Sequence, residues 1–283
     1  MLEILSYIFF FVFASISPLQ RRRLATKKNH DNKGQILFAF QITFVVSILG
    51  LFLPFFEKFH ISGNIFFIVG LSLVCGISGG LYFIFSYISQ KYVDAGITTL
   101  VSNIYTPVSI ILATFFLDEK LSYIQILGTI LLLFGILIVS KKHKIGRFKF
   151  DKYFLLMLLS GIFLGIVITA ERALQKMTGF SAGTMLSWWS QCIFLGIVAF
   201  FAKEKSQYTK KDIFITGGLR FLQSLSWVVL VFVVGNLSLV SSITTFKIVL
   251  IFIFGAIFLN EREDFQRKIF GSLIAFIGLL LMK

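Results

Sequence analysis

Residues 98–139 read TTLVSNIYTPVSIILATFFLDEKLSYIQILGTILLLFGILIV, and residues 241–282 read SSITTFKIVLIFIFGAIFLNEREDFQRKIFGSLIAFIGLLLM, a weak copy of the first. In each, an apolar run stops at a short acidic knot, Asp118-Glu119 in one and Asn260-Glu261 in the other. A second apolar run follows, carrying Gly128 and Gly135 in the first stretch and Gly271 and Gly278 in the second. Weak internal repeats within a very apolar chain mark transporters built from two related halves, with a substrate site where the halves meet.

Composition decides the solvent. Hydrophobic residues make up 57% of the 283 and charged residues 14%, far from the mix of an aqueous domain. Thirty-six phenylalanines against 3 prolines suit long, unbroken apolar helices in lipid. The chain reads as an all-α integral membrane protein. Cys75 and Cys192 both fall inside apolar runs, without CxxC or Cys/His spacing, and are read as packing residues. At the N-terminus the basic cluster Arg21-Arg22-Arg23 follows the apolar run, the reverse of a signal peptide's order, so a retained first helix is expected.

Ten runs are long enough to cross the hydrocarbon core: 2–19, 36–56, 64–88, 96–117, 122–140, 153–171, 182–202, 213–234, 238–259 and 267–282. Five precede the basic linker KKHKIGRFKFDK and five follow it, which divides the chain into units at 1–143 and 144–283. An odd number of spans per unit turns the second upside down, so two inverted five-helix repeats are expected. Most of the 27 Lys and Arg lie in the loops after odd-numbered spans. The positive-inside rule then puts those loops in the cytoplasm and both termini outside. The same bias accounts for the net charge of +14 without nucleic acid, and reads basic clusters as headgroup anchors.

The chain resembles the EamA-type transporters of the drug/metabolite transporter superfamily. The likeness rests on Phe116-Leu117-Asp118-Glu119 with Gly128 and Gly135, Phe258-Leu259-Asn260-Glu261 with Gly271 and Gly278, and Pro107 in the fourth span. Val249 stands where the matching proline of the ninth span would fall. The resemblance implies a secondary carrier without ATP hydrolysis, from a family whose cargoes include amino acids, nucleobases, sugars, nucleotide sugars, cofactors and cationic drugs.

Lys247 is the leading candidate for contact with a substrate. A cation mid-span costs about 2.5–3.5 kcal/mol on insertion scales and needs a partner or a wet cavity. Arg220 lies about eight residues into the eighth span, where partial snorkelling toward the interface competes with a role in a cavity. Together the two favour an anionic or zwitterionic cargo. Glu171 is expected at the end of the sixth span, in a local pair with Arg172. Gln41 and Gln191 hold matching places in the second and seventh spans, with interhelical hydrogen bonding as the alternative role. Trp188 could stack on a ligand or anchor a helix at the interface. Asn103, Tyr105 and Thr106 form a polar stripe before Pro107, and Tyr105 aligns with Lys247 when the two knots are superposed.

The function expected is alternating-access transport of a small organic metabolite, an amino acid or other carboxylate-bearing solute. A drug or amine exporter, or a lipid-linked sugar flippase, would share the architecture, and a non-transporting receptor or scaffold is the reading outside the class. His30, His60 and His143 all lie in loops, and no triad, metal or phosphate-binding motif points to an enzyme. No cofactor or metal is expected. The partners expected are a small-molecule substrate and the lipid bilayer, with monomer and homodimer left open, and the expected location is a bacterial inner membrane.

Overall fold

A computed structural model describes residues 2–27, 32–117, 122–140, 152–203, 208–234, 247–261 and 264–281. Among these every regular element is helical: α1 Leu2–Lys27, α2 Asn32–Leu49, α3 Ile65–Ser89, α4 Ala95–Ser102, α5 Tyr105–Leu117, α6 Tyr123–Ser140, α7 Lys152–Thr178, α8 Phe180–Ala202, α9 Lys210–Val234, α10 Lys247–Phe258 and α11 Phe265–Leu281. A 3-10 segment, Gly50–Phe55, extends α2. The helices α1, α2 with its extension, α3, α7, α8 and α9 are long and apolar enough to cross a membrane. Shorter apolar stretches, Ile126–Val139 and Lys247–Phe258, fall in α6 and α10. Phe55 and Phe66, each 84% exposed, show how apolar the outer surface is, as a lipid-facing surface must be. The first acidic knot, the basic linker and the turn before Lys247 lie outside the described residues.

The fourth expected span is two helices. Pro107 carries no N–H, and its ring crowds the carbonyl four residues upstream, that of Asn103. The backbone yields there. Asn103 N–H donates to Leu100 O and Ile104 N–H to Val101 O, both at 3.1 Å, a tightened 3-10 exit from α4. The chain then restarts as α5, with Pro107 in its first turn, where a missing donor costs little. Elsewhere the helices outrun the expected spans. α1 continues through Arg21 and Arg22 to Lys27, and α7 continues seven residues past Glu171 to Thr178.

Helix α3 packs along α7 and α8, α1 along α9 and α10, α2 along α8 and α9, α5 along α7, α4 along α10, and α6 along α11. The glycines of the repeated stretches make the last of these contacts. A Cβ on Gly135 would come 2.6 Å from Gly271 O, and one on Gly278 would come 2.6 Å from Gly128 O. With no side chain at these positions, the two backbones touch directly. A cluster of Leu100, Leu132, Ile136, Met157, Ile248, Phe252 and Leu279 fills the space between this pair, α4, α7 and α10.

The bundle has two distinguishable ends, which α3 connects. At its start, Ser62 Oγ donates to Met177 O near the α7–α8 junction at 2.6 Å. Just past its other end, Gln90 O accepts from Arg22 Nη1 at 2.6 Å. The 25 residues of α3 separate these ends by about 37 Å at the helical rise.

Candidate functional site

A cavity of about 520 Å³ lies among α1, α2, α3, α5, α7, α8, α9 and α10 and runs toward the α7–α8 junction, where Arg172, Gln175, Lys176 and Phe180 line it. A second, of about 60 Å³, lies on the side of Arg21, Ser86 and Gln90. Tyr82, Tyr105, Leu164, Arg220, Gln223 and Lys247 line both and form the wall between them. A small chamber and a large one thus meet at the two central cations.

Each cation leans on an aromatic ring. Lys247 Nζ, in the first turn of α10, lies 5.5 Å from the centroid of Phe10. The Arg220 guanidinium lies 5.4 Å from Phe83, and its Nη1 donates to Gln223 Oε1 at 3.1 Å, one helical turn on. Ring faces compensate part of the lost hydration of a cation. No carboxylate pairs with either cation among the described residues. Lys247 opens α10 and lies eleven residues from its far end, about 17 Å along the helix.

The expected site residues divide as follows. Lys247, Arg220, Gln191, Tyr105 and Trp188 all line the larger cavity. Asn103 lines the smaller one, buried at the break between α4 and α5; its Nδ2 donates to Thr99 O at 2.6 Å and its Oδ1 has no donor among the described residues. Gln41 is not brought to either cavity. Helix α2 offers Thr43 and Val46 instead, and Gln41, two residues from Thr43, points about 200° round the helix. Trp188 is an edge-on neighbour of Phe221, with centroids 6.2 Å apart, and so lines the cavity as well as packing the bundle.

Glu171 corrects the sequence reading. It lines the cavity and forms no ion pair with Arg172. Its Oε2 accepts from Ser187 Oγ at 2.5 Å, and Ser187 Oγ in turn accepts from Gln191 Nε2 at 2.8 Å. Oε1 accepts no hydrogen bond among the described residues, which leaves a carboxylate oxygen to the cavity. The signal was present in the spacing. Leu164, Val167, Ile168, Glu171, Arg172 and Gln175 recur at threes and fours, and all of them line the cavity, as one face of a helix does. The expected end of the span at 171 hid it.

The headgroup-anchor reading of Arg21-Arg22-Arg23 does not extend to Arg21 and Arg22; of the three, only Arg23 is exposed. Arg22 Nε donates to Glu261 Oε1 at 2.9 Å, and its Nη2 lies 3.7 Å from Asp94 Oδ1. Lys268 Nζ pairs with Asp94 Oδ2, and Ala95 N–H donates to Glu261 Oε2 at 3.1 Å. Glu261 thereby caps the N-terminus of α4, where partial positive charge favours a carboxylate. Asn260, at φ 57°, takes the left-handed turn that brings Glu261 there. Burial and the Asp94 carboxylate push the Glu261 pKa up, against the pull of Arg22 and the Ala95 N–H. This network ties α1, α3, α4 and α11 together at the narrow end.

A bundle of helices long and apolar enough to cross a membrane, around a cavity bordered by cations, has the build of a membrane transporter. Residues 2–141 match the EamA-like transporter family, and the chain belongs to that family. Among solved structures, one crystal structure shares the fold at a TM-score of 0.55 and 12% identity, over 99% of this chain and 95% of that one. No curated protein matches the sequence.

Proposed function

We propose that this chain is a secondary transporter of small carboxylate-bearing solutes, amino acids foremost, working by alternating access between two inverted halves, 1–143 and 144–283. One observation carries the cargo reading. Lys247 and Arg220 face a common cavity and neither is ion-paired with a carboxylate among the described residues, although Glu171 lines the same cavity; a buried cation favours a ligand that supplies the missing charge. Tyr105, Gln191 and Trp188 complete the lining around that point. The substrate-facing wall is the set of residues that both chambers share.

The helix contacts support the inverted pairing. Exchanging the halves maps α1 onto α7, α2 onto α8, α3 onto α9, α4 and α5 onto α10, and α6 onto α11. Under that exchange the α3–α7 contact becomes α9–α1, α3–α8 becomes α9–α2, and α5–α7 becomes α10–α1, and each of these pairs is packed. The α2–α8, α4–α10 and α6–α11 contacts map onto themselves. With the basic loops taken as cytoplasmic, the wide cavity would face outward and the narrow end inward. Rocking about the shared wall would reverse them.

Glu171 favours a second reading, amine export, because a carboxylate oxygen open to the cavity attracts an ammonium. Two central cations oppose it for a simple amine. A zwitterion satisfies both charges. The test is ligand-induced thermal stabilisation of the purified chain by L-phenylalanine, its amide and 3-phenylpropionate. Each raises the melting temperature only if it binds the folded state. We expect the amino acid to stabilise most, the acid less, and both effects to fall about tenfold in apparent affinity in Lys247→Gln. Stabilisation by the amide alone, unchanged in Lys247→Gln, sinks the carboxylate reading in favour of amine export.

A further inference from the structure

Arg21 belongs to neither the ion-pair network nor the central wall. It is 4% exposed on α1 and lines the 60 Å³ chamber. Its guanidinium lies 5.1 Å from the centroid of the Tyr87 ring, and neither Nε nor Nη1 has an acceptor among the described residues. No carboxylate reaches it among the described residues, since Asp94 and Glu261 are engaged by Arg22 and Lys268. A lysine so placed could release its proton, but a guanidinium stays charged. One ring face replaces only part of its hydration. A buried cation with two unpaired donor nitrogens, on a side chain that lines a cavity, is a half-built ion pair.

The chamber suits the missing half. Ser86 and Ser102 add hydroxyls to its lining, and Lys247 and Arg220 close its far side. Hydroxyl, amide and cationic donors thus border a space too small for a whole amino acid. One chloride-sized ion, or one carboxylate head, fits.

We propose that this chamber is a second anion site, in which Arg21 holds a single small monovalent anion, separate from the larger cavity. Two sources share that chemistry: a free halide, and the carboxylate of a cargo molecule leaving the central wall. The site stands whichever cargo the central cations bind.

The test is thermal unfolding of the full chain in detergent, with isethionate, too bulky for the chamber, replaced at constant ionic strength by chloride, by bromide or by acetate. A saturable rise of about 2–5 °C is expected in the wild type, with no response in Arg21→Gln. A response to chloride and bromide alone assigns a free ion, and a response to acetate alone assigns the cargo carboxylate. Crystals grown with bromide add a readout that needs no variant, an anomalous peak within hydrogen-bonding reach of Arg21. A wild type indifferent to all three anions with no such peak overturns the site. So does an anion response that survives intact in Arg21→Gln.

Discussion

The two ends of this bundle are closed by different means. At the α7–α8 end one carboxylate spans the gap: Glu57 Oε2 accepts from Ser181 N–H at 2.8 Å, capping α8, and the cavity beside it stays wide. At the other end Glu261 caps α4 in the same manner, but Arg22, Asp94 and Lys268 surround it and the space behind shrinks to about 60 Å³. A single cap holds one helix start, with the Ser62–Met177 hydrogen bond beside it. A four-residue network bridges four segments, so opening it means separating several charges at once. Under the proposed alternating access, the difference locates where a change of state would have to be driven.

Breaking the network should have the largest effect. Asp94→Ala removes the partner of both Arg22 and Lys268, and Lys268 is only 4% exposed. Stranding a buried charge costs about 3–5 kcal/mol, with a value near the low end expected here because Asp94 is partly solvated. Thermal unfolding should show the loss. A cysteine at Ser86, buried behind the network, should also label several-fold faster with a maleimide in Asp94→Ala than in the wild-type background. The native Cys75 and Cys192 are buried and add little signal. Unchanged labelling would mean that the ion pairs hold nothing shut.

The α6–α11 contact sits outside both chambers and supplies the contrast. A methyl on Gly135 would meet backbone, Gly271 O at 2.6 Å and Ala275 N at 2.7 Å, which cannot rotate away. Gly135→Ala should therefore destabilise by about 1–3 kcal/mol through overpacking, without speeding the labelling at Ser86→Cys. Faster labelling would tie this helix pair to the closed end. Smaller again, Glu57→Gln weakens one cap and should cost about 1 kcal/mol or less. It too should leave the narrow end untouched.

Much of this was legible in the residues, and the misses share a cause. The glycine pairs, the helix order and the five cavity-lining residues Lys247, Arg220, Gln191, Tyr105 and Trp188 follow from periodicity and from the cost of charge in lipid. What failed was length. Taking α1 to end near residue 19 turned Arg21 and Arg22 into surface anchors, and taking α7 to end at Glu171 turned a cavity carboxylate into half of a local pair with Arg172. Hydropathy marks where a helix leaves the apolar layer, but a helix continues wherever its polar residues find partners inside the protein. Gln41 failed for a different reason. Matching its position to Gln191 across weakly similar halves fixes the turn of helix but not the face, and the neighbouring Thr43 holds the inward one. The break at Asn103 was readable in Pro107, whose effect falls four residues upstream of itself.

The smallest expected effect is that of pH on the narrow end, and its sign runs against the simplest guess. Protonating Glu261 removes the charge that Arg22 binds, which alone would loosen the end on acidification. Yet burial and Asp94 outweigh Arg22 and the Ala95 N–H, and the Glu261 pKa lies above its ordinary value of 4.5. A carboxyl with a raised pKa binds its proton more tightly in the folded, closed form than when unfolded and hydrated. Its contribution is then fully present below 4.5 and lost as pH rises through the raised value. The wild type should accordingly gain thermal stability relative to Glu261→Gln as pH falls from neutral toward 4.5. Relative loss over the same window would show that the Arg22 ion pair dominates, and that the narrow end is held by charge more than by burial.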